Sequence, residues 1–169
     1  MGLKKYPSRL EILEYFDFRN GVFYWKKLTT NAVKIGDEAG IRNDKGYVII
    51  SFKNCSYRAH KLVWILEHNE PPPDVIDHIN RCRWDNRPQN LRRASRSENA
   101  MNAGKRSHNS SGFKGVHKHN NKKWRAQIRF RNKRYCLGIY ETAHKAHAAY
   151  LKAAKKIAGN FANGGKIGI

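Results

Sequence analysis

The chain has 169 residues, with 34 Lys+Arg against 13 Asp+Glu, a formal net charge of +21 and a pI of about 10.2. A charge this large calls for a counter-charged partner, and phosphate polymers are the commonest, which moves small-molecule metabolism down the order of readings. With 40% hydrophobic and 11% aromatic residues the chain also has the material for a core, which excludes a wholly disordered basic tail.

The charge is uneven. Residues 1–100 hold 18 basic and 12 acidic side chains, whereas residues 101–169 hold 16 and one, Glu141. Two functional units follow from that asymmetry. No apolar run reaches membrane-spanning length and no secretory h-region follows Met1, so a soluble, intracellular protein of the cytoplasm is expected. Cys55, Cys82 and Cys136 lie far apart without a CxxC pair, which points to free thiols.

In chain order, Leu10, Ile12, Leu13 and Phe16 have helical spacing and predict a helix over residues 9–18. The aromatic and β-branched runs at 21–25 and 46–52 predict strands. Leu62, Val63, Ile65 and Leu66, flanked by Trp64, predict a helix over 58–68 that ends at Pro71-Pro72-Pro73. A short strand is expected at 75–80, followed by a loop rich in Arg, Asp and Asn. Ser95-Arg96-Ser97-Glu98 has the capping-box form and predicts a helix starting at Ser95 that carries Asn99 on its first turn. Residues 102–111 lack apolar periodicity and read as a linker.

The clearest pattern follows. Trp124, Ala126, Ile128 and Phe130 alternate with Arg125, Gln127, Arg129 and Arg131, which predicts a strand with one buried and one cationic face. Its neighbours are expected at 113–118 and 134–140, with turns at Asn120-Asn121 and Asn132-Lys133. Ala143, Ala146, Tyr150, Ala153 and Ile157 predict a helix over 142–158 with Gly159 as its terminator.

Asp77-His78 at a strand end, with Asn90 and Asn99 downstream, can supply phosphodiester hydrolysis. An imidazole titrates near neutrality and suits a general base, while carboxylate and amide oxygens suit a hard cation. Adjacent strand residues point to opposite faces, so Asp77 and His78 share a site only if the strand ends or bends there.

The string 58–64, then Ile76-Asp77-His78-Ile79-Asn80, Asp85-Asn86-Arg87-Pro88-Gln89-Asn90-Leu91-Arg92 and Ser95-Arg96-Ser97-Glu98-Asn99, resembles the HNH endonucleases of phage and homing type over most of residues 8–102. That resemblance implies a ββα-metal core with His78 as general base and Asp77 and Asn99 as ligands of Mg²⁺ or Mn²⁺. It also implies that Asn90 ties the loop and orients His78. Many members end the motif with His where this chain has Asn99, which favours an oxygen-ligated site. Asn86 is assigned to loop structure and His60 to packing. Arg83 and Arg87, with Arg81, Arg92, Arg93 and Arg96, are expected to neutralise phosphates.

Residues 111–116, 124–128, 135–140 and 142–150 resemble the Apetala/ethylene-response-factor (ERF) DNA-binding domain, three strands with a helix behind them. By motif position Lys114, His117, His119, Gln127, Arg129, Arg134 and Cys136 then face DNA, and strand alternation adds Arg125. A zinc cluster of His117, His119, His144 and His147 lacks completing ligands and ranks below this reading.

The expected architecture is therefore α+β: an HNH endonuclease domain over 1–102, a linker over 103–111 and an Apetala/ERF-type domain over 112–169. The expected function is metal-dependent cleavage of double-stranded DNA by a monomer or weak dimer. The alternative is a non-catalytic, sequence-specific DNA-binding transcription regulator. RNA binding ranks lower, because the cationic strand face lacks exposed aromatics.

Overall fold

A computed structural model of the chain describes residues 6–27, 33–120 and 122–164. Among them the fold is mixed α+β, with four α-helices and four small antiparallel sheets. Contacts divide the chain into two compact units, Met1–Arg93 and Ala94–Ile169.

In the first unit, α1 (Arg9–Tyr15) starts at a reciprocal capping box between Ser8 and Glu11. It ends earlier than the apolar spacing predicts, because Phe16 and Phe18 belong to β1 (Phe16–Arg19). This strand pairs with β2 (Val22–Trp25) around Asn20 and Gly21, both at positive φ, so a two-residue hairpin turn overrides the helical pattern. Strands β3 (Ile41–Arg42), β4 (Val48–Phe52) and β5 (Cys55–Arg58) form a sheet in that order, with Lys53 and Asn54 turning the second hairpin. Neither β3 nor β5 was expected.

Helix α2 (Ala59–His68) then lays Leu62, Val63, Ile65 and Leu66 onto Ile12, Phe16, Phe23, Ile50 and Phe52. Full burial of a side chain such as Phe16 or Leu62 contributes about 2 to 3 kcal/mol. Asn69, in the left-handed conformation, stops α2 before the prolines are reached. Lys61 Nζ donates to the carbonyls of Pro73 and Asp74 and so fastens the proline segment to α2. Strand β6 (Ile76–His78) pairs antiparallel with β7 (Leu91–Arg93), and a 3₁₀ turn at Pro88–Asn90 leads into β7.

The second unit opens with α3 (Arg96–Asn102), whose predicted capping box between Ser95 and Glu98 is present. Strands β8 (Val116–Lys118), β9 (Trp124–Phe130) and β10 (Lys133–Tyr140) form a sheet in the order β10-β9-β8. Helix α4 (Ala143–Ala158) packs against it. Its buried stripe is Ala146, Tyr150, Ala154 and Ala158, rotated slightly from the expected one, so that Ala143, Ala153 and Ile157 are half-buried. Gly115 (φ 73°) admits the Tyr150 ring so closely that a Cβ would lie 2.0 Å from it. The β9-β10 turn is Arg131-Asn132, both at positive φ, rather than Asn132-Lys133. Of the expected Asn120-Asn121 turn, Asn121 lies outside the described residues.

The boundary expected after residue 102 falls instead after Arg93. The reason is apolar packing: Met101 on α3 is buried with Ile128, Phe130, Tyr150 and Ala154 of the second unit. Ser97 Oγ accepts from the Arg131 backbone N–H (3.2 Å), and Asn163 Nδ2 donates to Asn102 O (2.7 Å). Segment 103–111 is therefore a loop inside the second unit, not a bridge between units. Asn109 and Ser111 fold it by donating to Phe113 O and Val116 O.

Candidate active site

The β6-β7 ribbon positions the predicted pair. Asp77 stands directly opposite Arg92, and His78 opposite Leu91. Asp77 Oδ2 accepts from both Arg92 Nε (2.9 Å) and Nη2 (2.8 Å). The strand, expected over 75–80, ends at His78, where Arg81 N–H donates to His78 O (2.9 Å) and closes a turn with Arg81 at φ 67°.

His78 Nε2 lies 3.2 Å from Asn86 Oδ1. Asn86 Nδ2 donates to Trp84 O (3.3 Å), which turns its Oδ1 toward the imidazole. Nε2 then carries the proton and Nδ1 the lone pair. Asn86, assigned to loop structure by sequence, is thus the amide that orients the ring. Asn90, expected to tie the loop and orient His78, bonds instead to Asn80 and Asp85: its Nδ2 donates to Asn80 Oδ1 (3.0 Å) and Asp85 O (2.7 Å), and its Oδ1 accepts from Asn80 N–H (3.0 Å). The signal for Asn86 was its burial, which an Asn within an Arg-rich loop does not reveal.

Gly21 supports the same loop from the β1-β2 turn. A Cβ there would lie 2.6 Å from Arg87 N and 2.9 Å from the Asn86 carbonyl carbon, so the hairpin rests directly on the peptide that carries the amide.

Burial pushes the His78 imidazole below its ordinary value, against upward pulls from the Asn86 hydrogen bond and the Asp77 carboxylate. The ring is therefore neutral at neutral pH, the form that accepts a proton. His60 on α2 stands edge-on to it, with ring centroids 5.1 Å apart, and Tyr47 flanks both rings. Burial, then the neighbouring His78, pushes His60 down to about 2. A folded value below the unfolded one of about 6.5 stabilises the native chain fully above pH 6.5, and that contribution drains away as pH falls toward 2. Stability measured by urea unfolding should therefore fall as pH drops below about 6.5. His60→Phe should show a shallower acid loss, and equal slopes in the two proteins would refute the assignment.

Of the two loop arginines, Arg87 spends its fork on Asp85 (2.8 and 2.7 Å), which holds that carboxyl down to about 2. Arg83 is exposed, donates to Lys45 O (2.9 Å) and covers the Tyr47 ring. Asn99 is half-buried on α3, in the second unit.

Residues 57–101 match the family model for HNH endonuclease. The HNH segment runs from β5 through α3 and contains Asp77, His78, Asn86, Asn90 and Asn99. It supports a nuclease, a hydrolase acting on DNA. No curated protein and no solved structure matches the chain. HNH nucleases generally use a divalent metal ion. Among the described residues no three His, Cys, Asp or Glu side chains are grouped to hold one. A hard cation such as Mg²⁺ nevertheless needs only one or two protein carboxylates beside waters and substrate phosphates, and Asp77 at the end of β6 fits that requirement by donor chemistry. No described helix is long and apolar enough to cross a membrane.

On the sheet of the second unit, Arg125, Gln127 and Arg129 occupy one face of β9, opposite in sense to the buried Ala126, Ile128 and Phe130. Cross-strand partners extend the row: His117 faces Arg125, Cys136 faces Gln127 and Arg134 faces Arg129. Lys114 does not join it. Its ammonium donates to the carbonyls of Ala100 (3.3 Å), Met101 (2.6 Å) and Ala103 (2.5 Å), where it caps α3. His144 and His147 on α4 pack their rings on Phe113.

Proposed function

We propose that the chain is an HNH endonuclease of phage or homing type that hydrolyses phosphodiester bonds in duplex DNA, with a second unit of Apetala/ERF type that binds the duplex. The observation that carries this reading is His78, buried beside Asp77 at the end of β6 and held through Nε2 by Asn86, inside the segment that the HNH model matches.

His78 Nδ1 takes a proton from the attacking water while Nε2–H stays on Asn86 Oδ1 and keeps the ring in register. Asn90 holds the loop closed around that amide, and Arg92 fixes the Asp77 carboxylate through Oδ2. Asp77, with waters and substrate oxygens, would hold Mg²⁺ or Mn²⁺, which would supply positive charge to the scissile phosphate and its departing 3′ oxygen. Arg83, on the exposed loop, contributes a phosphate contact; Arg87 does so only on leaving Asp85. The row of His117, Arg125, Gln127, Arg129 and Arg134 holds the duplex, its three arginines chiefly through phosphates.

Supercoiled plasmid incubated with the protein should be nicked or linearised in the presence of Mg²⁺ and remain intact in EDTA. Tight binding by well-folded protein with no nicking on several plasmids would replace this reading with that of a non-catalytic regulator.

A further inference from the structure

A cleft of about 590 Å³ lies wholly within the second unit, where β8, which begins at Val116 opposite Ala126, leaves the later half of β9 beside segment 103–110. Lys105 and Arg106 line it from the segment, and Arg129 and Arg134 from the sheet. None of these four forms an ion pair among the described residues. Arg129 and Arg134 stand directly opposite each other across β9 and β10, an arrangement that destabilises a sheet unless an anion neutralises it. Burial and the charges of Arg125 and Arg134 also push His117, on the same wall, below its ordinary value, a sign of the cationic potential there. The only acids of this unit are Glu98 and Glu141, and neither lines the cleft.

We infer that segment 103–110 and the Arg129–Arg134 end of the sheet clasp the phosphodiester backbone of one DNA strand between them. The segment is then a wall of the DNA-binding site, where the sequence reads only a tether. The size decides the occupant: the cleft has the volume of a small-ligand pocket, far too little for both strands, while its walls carry unpaired cations of the kind that backbone phosphates recruit. Base reading does not require it, because phosphate contacts position and carry no sequence information. This inference rests on the reading of the second unit as a DNA-binding element, so its test includes a residue on the same face but outside the cleft, Arg125.

Fluorescence anisotropy with a labelled duplex in EDTA, over a range of salt, compares full-length variants whose folding is checked by circular dichroism. The double substitution Lys105→Gln with Arg106→Gln should weaken binding by on the order of tenfold and reduce the salt slope by about 2. The charge-keeping pair Lys105→Arg with Arg106→Lys should restore both. Native affinity and slope in the glutamine pair, with weakened binding in Arg125→Gln, would overturn the clasp and leave the DNA-binding reading standing. Native behaviour in both, and in Arg129→Gln with Arg134→Gln, would overturn that reading as well.

Discussion

Substituting His78 by alanine should leave duplex DNA bound and slow its cleavage by roughly 10²- to 10⁴-fold, the loss that follows removal of a positioned general base. The expectation comes from the imidazole's surroundings: burial keeps it neutral, and Asn86 fixes which nitrogen bears the proton. Asn86→Ala leaves the ring in place without its amide, so its rate should fall between those of the native protein and His78→Ala. Single-turnover cleavage with protein in excess measures the step directly, and anisotropy in EDTA measures binding separately. A His78→Ala protein as active as the native one would remove the base from the mechanism.

Arg92→Ala should cost about 3 kcal/mol or more of folding stability. Its partner, Asp77, has a side chain only 4% exposed, and the Arg92 side chain is 18% exposed. Removing the guanidinium takes the ion-pair partner from a largely buried carboxylate, whereas replacing both members by apolar groups leaves no such charge. The pair Asp77→Leu with Arg92→Leu should therefore unfold at higher urea than Arg92→Ala alone. A single variant as stable as the native chain would show that the pair is not a structural lock.

What the sequence reveals and conceals follows from how far apart the interacting groups lie. The capping box at Ser95 and Glu98 is a contact over three residues, and the expected helix start is found there. The alternation from Trp124 to Phe130 is likewise local, and β9 follows it. Phe16 misled because a residue at helical spacing from Ile12 and Leu13 is equally fit to stand opposite Trp25 once Asn20-Gly21 closes a hairpin. The role of Asn86, the capping of α3 by Lys114 and the burial of Met101 each depend on a partner from another element. No periodicity encodes such pairings. Pairwise packing also explains why the unit boundary falls after Arg93: the helix carrying Asn99 follows its apolar side chain, not the motif in which that asparagine is read.

The close seating of Gly21 against the Asn86–Arg87 peptide has a consequence for the order of assembly. About 65 residues of chain separate the two, so the loop that orients His78 takes its shape from one of the longest-range closures in the first unit. During synthesis the β1-β2 hairpin, together with β4 and α2 that cover its apolar side chains, emerges before that loop. The loop is then moulded against a surface already standing, and the imidazole gains its fixed orientation only once the last part of the unit has been translated and docked.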